Sequence, residues 1–242
     1  MRPELAGIDP LLKEGIDMLK DGSAVFGNLL SPRYGEVLFT LQKYIEEIEL
    51  FNPAYGLVGV RDRAELIVKH ILDSLAPLAA AGFMDAVIKG GENSGRTGTP
   101  AAADVGSGAG LPGIPLAIML PGIHFTLMER MGRRAGFLRN SLAVLGLDNA
   151  EAEERDMEKA APGRFSLIVF RAFRPLEPPI IKGLFRLLAP GGILAAYKGK
   201  KEKIGGEMAA LGGLAGTWEA LPVQVPFLDE ERHIVLIRRS TP

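Results

Sequence analysis

Asp104-Val-Gly-Ser-Gly-Ala-Gly-Leu-Pro-Gly-Ile-Pro115 is the stretch around which the chain is organised. A small apolar run, Ala101-Ala102-Ala103, precedes it and suits a buried strand. Leu116-Ala-Ile-Met-Leu120 follows it and suits the body of a short helix. Gly106, Gly108 and Gly110 stand at every second position, where they permit sharp turns and let another molecule approach the backbone. Pro112 fits the first turn of a helix, which needs no N–H there. Strand, bare loop and helix N-terminus together make a place to lay a small charged ligand.

Two ligand classes use such a loop. A dinucleotide lays its pyrophosphate on the helix N-terminus and asks for G-x-G-x-x-G. Here the third glycine comes one residue early, and Asp104 stands two residues before the first. A carboxylate so close repels a pyrophosphate. It suits a ligand with an ammonium group, and S-adenosylmethionine carries one on its methionine end as well as a cationic sulfonium. The methyl donor is therefore the expected ligand. A dinucleotide and a purely structural glycine turn stay open as alternatives.

The 242 residues suffice for a large core and one or two domains. With 47% hydrophobic and 24% charged residues the composition is that of an ordinary globular protein. The absence of cysteine excludes disulfides, thiolate metal sites and cysteine nucleophiles. His70, His124 and His233 are far apart and form no metal-spacing motif, so no metal is expected. No apolar run approaches the roughly 20 residues of a membrane span, and the start leads into no signal-peptide core. A cytoplasmic monomer without membrane contact is the expectation. The net charge of -1 is unevenly spread. Residues 1–100 hold 10 Lys+Arg against 14 Asp+Glu, and the remainder 18 against 15, so the positive excess sits with the glycine loop. That is weak support for RNA binding on its own.

Residues 1–82 read as a helical region. Asp9 caps a helix to about Lys20, Ser31-Pro32 starts one to about Leu50, and Asp62 caps a third to about Ala80. Lys89–Pro100, with four glycines and a proline, reads as a mobile loop, so that 83–100 is a linker. From Ala101 to the C-terminus strands and helices alternate, which implies a parallel α/β sheet. Strands are expected at 101–103, 123–128, 150–154, 165–170, 193–197, 218–225 and 233–238. Helices are expected at 132–145, 177–188 and 203–214, and Ala189-Pro-Gly-Gly192 reads as a turn.

Open α/β sheets bind ligands at the carboxyl ends of their strands. Glu129 ends the second strand, 23 residues after Gly106, where an acid can take both ribose hydroxyls. Asp156 and Met157 follow the third, where an acid can receive an adenine amino group and a backbone N–H a ring nitrogen. Arg171 directly follows the apolar Phe165–Phe170 run, and a charge buried there needs a partner. Lys198 opens the basic Lys198-Gly-Lys-Lys201, and Arg232 and His233 open the last strand. His70 and Asp73 share one helix face; this is either a local hydrogen bond or a helix that closes the crevice.

The Asp104–Pro115 loop resembles that of the glucose-inhibited division protein B family, the small-subunit ribosomal RNA guanine-N7 methyltransferases. Lys69-His-Ile-Leu-Asp-Ser-Leu75, Gly132-Arg-Arg134 with Phe137-Leu138, Arg171-Ala-Phe173, Lys198-Gly199 and Glu231-Arg-His233 resemble it too, in the right order from about residue 35 onward. Two segments depart: Gly56-Leu-Val58 replaces the family's Asn-Leu-Thr, and Lys89–Pro100 is longer. The resemblance implies a Rossmann-like, seven-stranded class I methyltransferase sheet with an N-terminal helical extension. It implies S-adenosylmethionine as cofactor and 16S ribosomal RNA, or a small-subunit precursor, as partner, with a guanine N7 of the decoding-region loop as target. Cofactor contacts would fall on Gly106, Leu111, Glu129, Asp156, Met157 and Arg171, joining Asp104 and Gly108. Arg155, Lys198 and Arg232, with His70, would face RNA, and Arg171 and Lys198 would position the reactants. A methyltransferase for another RNA or a small molecule, and a non-catalytic RNA-associated factor, are the rival readings.

Overall fold

The computed structural model describes residues 7–93, 100–172 and 175–239. Residues 94–99 of the expected loop, and Phe173, lie outside the described residues. Seven strands form one sheet: β1 Ala101–Val105, β2 His124–Glu129, β3 Ala150–Glu154, β4 Phe165–Arg171, β5 Leu188–Lys198, β6 Thr217–Val223 and β7 Arg232–Arg238. Their order is β3-β2-β1-β4-β5-β7-β6. The first five run parallel, and β7 lies antiparallel between β5 and β6. Strand order reverses between β1 and β4, and a crevice opens at the carboxyl ends of such a pair.

The central strands are apolar on both faces, and successive residues join opposite layers. Leu167 and Val169 of β4 and Ile193 and Ala195 of β5 belong to one core; Ile168, Phe170, Leu194 and Ala196 belong to the other. The first core also takes in Leu12, Ile16, Leu38, Leu41, Ile71 and Leu75. The N-terminal helices and the sheet therefore share one apolar interior. They are α1 Pro10–Gly22, α2 Ala24–Leu30, α3 Tyr34–Tyr55, α4 Arg63–Leu66 and α5 Asp73–Leu75, followed by α6 Phe83–Asn93. With α7 Gly113–Met119 and α8 Gly132–Leu145 they cover that face; α9 Pro178–Leu187 and α10 Lys201–Leu211 cover the other.

Several expectations change. The loop from Lys89 is helix as far as Asn93, because Phe83, Ala86 and Val87 bury one face of α6. Two consecutive glycines did not overcome that packing. The helix expected from Asp62 to Ala80 does start on the Asp62 cap, whose carboxylate accepts from the Glu65 N–H at 2.8 Å. It then passes through a π-helical segment, Ile67–Leu72, into α5 and a 3-10 turn, Ala76–Ala79. The turn at 189–192 is an irregularity inside β5: Leu188 pairs with Phe165 and Ile193 with Leu167, so four residues stand against one. A short helix, α2, capped by Ser23, was not foreseen. No single helix among the described residues is long and apolar enough to cross a membrane.

Candidate functional site

The loop after β1 is held from below. Asp104 is 1% exposed, and its Oδ2 accepts from the Ser107 hydroxyl at 2.7 Å and the Gly113 N–H at 2.9 Å. A Cβ at Gly113 would lie 2.7 Å from that same oxygen, so only glycine lets the helix start this close to β1. From α3, the fully buried Tyr44 donates its hydroxyl to the Ala109 carbonyl at 2.6 Å. Gly108, at φ +59°, faces open space: an added Cβ would meet only the Gly106 carbonyl, at 3.9 Å. Its N–H donates to Glu129 Oε2 at 3.0 Å, and the Met131 N–H to Glu129 Oε1 at 2.9 Å.

Asp104 was expected to meet a ligand ammonium directly. Its carboxylate instead lies beneath the loop and does not line the crevice, because Ser107 and Gly113 draw it inward. Oδ1 has no hydrogen-bond partner among the described residues. Burial pushes the carboxyl up to about 6, against the opposing pull of Ser107 and Gly113.

Two adjoining cavities share Gly106, Arg134 and Ala172. The smaller, about 180 Å³, is bounded by Met128, Glu129, Arg155, Asp156 and Met157. Asp156 caps the short turn Met157–Lys159, accepting from the Glu158 N–H at 3.1 Å. The larger, about 570 Å³, takes the glycine loop and Leu111 on one side and Leu57–Gly59, His70, Asp73 and Pro77 on another. Lys198, Arg232 and His233 complete it.

Arg171 reaches the wall made by the N-terminal helices. Its Nη1 donates to the Lys69 carbonyl at 3.1 Å and to Asp73 Oδ2 at 3.0 Å, and its Nη2 lies 2.8 Å from His70 Nδ1. Because arginine only donates, Nδ1 must be the accepting nitrogen. Burial, and then the Arg171 charge, lower His70 to about 4, so the ring is neutral at physiological pH. The unfolded chain protonates His70 near 6.5, and the folded chain resists until about 4. This contribution to stability is complete above pH 6.5 and lost as pH falls toward 4. Asp104, with its raised value, contributes with the opposite sign. Between pH 6.5 and 4 the urea midpoint of the wild type should therefore drop more steeply than that of His70→Gln. Parallel curves would show that His70 titrates no differently in the fold.

The expected cations separate. Lys198 and Arg232 share the larger cavity, and each is paired: Lys198 Nζ with Glu207 at 2.8 Å, Arg232 Nε with Asp73 Oδ1 at 3.2 Å. Arg155 was grouped with them and belongs elsewhere. It lines the smaller cavity beside Asp156, because β3 is the sheet edge far from β7. Three contributors were missed as site residues. Arg134 borders both cavities and reaches the Gly56 carbonyl at 3.4 Å. Asp73 was read only as a neighbour of His70. Tyr197, whose hydroxyl donates to the Ser74 carbonyl at 2.9 Å, ties β5 to the same wall. For Arg134 the sequence signals were its place in the Gly132-Arg-Arg134 motif and in the first turn of the helix after β2.

The antiparallel β7, inserted between β5 and β6, separates this sheet from the all-parallel dinucleotide folds. Fold and crevice together are those of the Rossmann-like methyltransferases that use S-adenosylmethionine. A solved S-adenosylmethionine-dependent methyltransferase from Aquifex aeolicus has the same fold, with a TM-score of 0.50 at 16% identity over 80% of this chain and 97% of its own. Within that class the chain belongs to the GidB family, rRNA small subunit methyltransferase G, whose profile matches residues 38–235. Proteins named ribosomal RNA small subunit methyltransferase G are similar along most of its length. That of Treponema denticola is 34% identical over 96% of this chain and 98% of its own. That of Cellvibrio japonicus is 37% identical over 93% and 95%.

Proposed function

We propose that this protein transfers a methyl group from S-adenosylmethionine to N7 of a guanine in small-subunit ribosomal RNA, in the cytoplasm. The observation that carries the reading is the pair of joined cavities at the point where strand order reverses. One has acids at both nucleoside positions, and the other is walled by arginines and a lysine.

The residues present fit the donor. Glu129 takes the ribose hydroxyls with the lone pairs left by Gly108 and Met131. Asp156 and the Met157 backbone take the adenine edge. Gly106 borders both cavities, Gly108 and Leu111 line the larger one, and Arg171 suits the carboxylate of the methionine end. Asp104 acts through its charge: a nearly buried carboxylate under the loop favours a cation above it. S-adenosylmethionine supplies an electrophilic methyl group on a sulfonium.

Guanine N7 carries an in-plane lone pair and no proton at neutral pH, so its methylation needs no general base. The neutral His70, its Nδ1 turned to Arg171, is consistent with that. The chain's part is alignment: the base, unstacked from its helix, is held so that N7 faces the methyl group with its positional freedom already lost. Arg232 and Lys198 suit phosphates and the O6 edge.

Glu129→Ala should weaken S-adenosylmethionine binding by about 1–3 kcal/mol, the scale of hydrogen bonds to a charged acceptor. Calorimetry reads this directly, and an unchanged dissociation constant would remove Glu129 from the site. The function itself is tested with a radiolabelled donor and total cellular RNA. Label should enter small-subunit ribosomal RNA; label confined to transfer RNA or protein would overturn the reading.

A further inference from the structure

Asp73 is 6% exposed and faces two cations from different strands. Its Oδ2 holds Arg171, at the carboxyl end of β4, and its Oδ1 holds Arg232, at the start of β7. The wall around it is specialised. The Lys69 carbonyl and His70 Nδ1, the other acceptors for Arg171, come from the π-helical segment, and Asp73 is the residue immediately after it. π-Helical turns inside α-helices are often found at functional sites. Ser74 is tied to β5 by the Tyr197 hydroxyl, which fixes the helix that carries Asp73.

Each arginine keeps donors in reserve. A guanidinium has five N–H groups. Among the described residues Arg171 uses three, on Lys69, Asp73 and His70, and Arg232 uses two, on Glu230 and the Glu231 carbonyl, beside the ion pair of its Nε with Asp73. Each guanidinium thus has donors left over among the described residues, and both residues line the larger cavity. A buried ion pair is weak ground for a purely stabilising role, since apolar residues of similar volume often serve as well. What a shared carboxylate adds is geometry: it holds two like charges side by side and fixes where their remaining donors point.

We infer that Asp73 is the positioning residue that sets Arg171 toward the methyl donor and Arg232 toward RNA, so that one carboxylate orders the contacts to both ligands. This rests on the functional reading above. The test uses Asp73→Asn, which keeps the shape and removes the charge, and three ligands: S-adenosylmethionine, protein-free small-subunit ribosomal RNA, and adenosine, which needs only the Glu129–Asp156 cavity. Affinity for the first two should fall about 10-fold or more, as for lost hydrogen bonds to charged groups. Adenosine affinity should stay within about twofold. In an Arg232→Gln background Asp73→Asn should cause no further loss of RNA affinity. In an Arg171→Lys background it should cause no further loss of S-adenosylmethionine affinity.

Additive losses in those backgrounds, or a parallel fall in adenosine affinity, would show a merely structural role and overturn the inference. So would unchanged affinities in Asp73→Asn. If that variant does not fold, Asp73→Glu keeps the charge and displaces both guanidinium groups; it should lose both affinities and keep adenosine, and normal affinities would sink the proposal. A wild-type protein that bound neither S-adenosylmethionine nor RNA would remove the functional reading itself. That outcome is distinct from a wild type that binds both and an Asp73 variant that behaves like it.

Discussion

Gly108→Val is expected to abolish S-adenosylmethionine binding while the sheet and its two cores stay folded. The position separates the two effects. A Cβ there points into open space, with nothing nearer than the Gly106 carbonyl at 3.9 Å, so the added isopropyl group takes up room in the larger cavity beside the loop backbone. The backbone at φ +59° disfavours a β-branched residue, at a cost of roughly 1–2 kcal/mol, which is small beside the lost approach of ligand to backbone. Gly113 makes the contrast. Its missing Cβ is replaced by the Asp104 carboxylate and Leu127, so substitution there should damage the fold itself. Calorimetry and thermal unfolding of Gly108→Val decide the matter. Cofactor binding like that of the wild type would contradict the loop assignment.

Arg171→Ala should be the most damaging of the cation substitutions, because it removes a partner from a buried cluster. Asp73 and His70 each lose a donor, and the Lys69 carbonyl loses one too. Breaking a buried pair from one side costs about 3–5 kcal/mol, here reduced by the arginine that remains on Asp73 Oδ1. Stability, cofactor affinity and RNA affinity should all fall. Arg171→Lys should keep the charge and lose the fork, since one ammonium cannot reach all three acceptors in their present directions. Denaturation and binding measured on the two variants check this. An Arg171→Ala protein as stable and as active as the wild type would show that the network carries nothing.

Much of the fold is legible in the sequence, for physical reasons that differ by element. The strands of the sheet centre announce themselves as short apolar runs, and α8 covers the expected residues 132–145, with Gly146 in the left-handed conformation at its end. The π-helical segment could not be read, since Ile67–Leu72 has the same apolar spacing as an ordinary helix. Nor could the continuation of α6, where buried contacts override two glycines. The glycine loop and Glu129 were visible because each stands at a strand end. Asp104 was visible as an acid, but its direction was not: Ser107 and Gly113 turn it under the loop. Asp73 and Arg171 are 98 residues apart, and only the packing of helix against sheet brings them together. Arg155 shows the reverse case, a cation that the family resemblance grouped with Lys198 and Arg232 and that follows the strand at the far edge.

The chemistry of the product tests the central claim most directly. Methylation at N7 leaves a guanine with a fixed positive charge on its ring, which makes the ring labile to reduction and the chain labile to aniline. Small-subunit ribosomal RNA incubated with the protein and S-adenosylmethionine, then reduced and treated with aniline, should break at one guanine. RNA incubated without the donor should stay intact there. A methyl group recovered instead on an exocyclic amine, on a ribose or on protein would contradict the assignment.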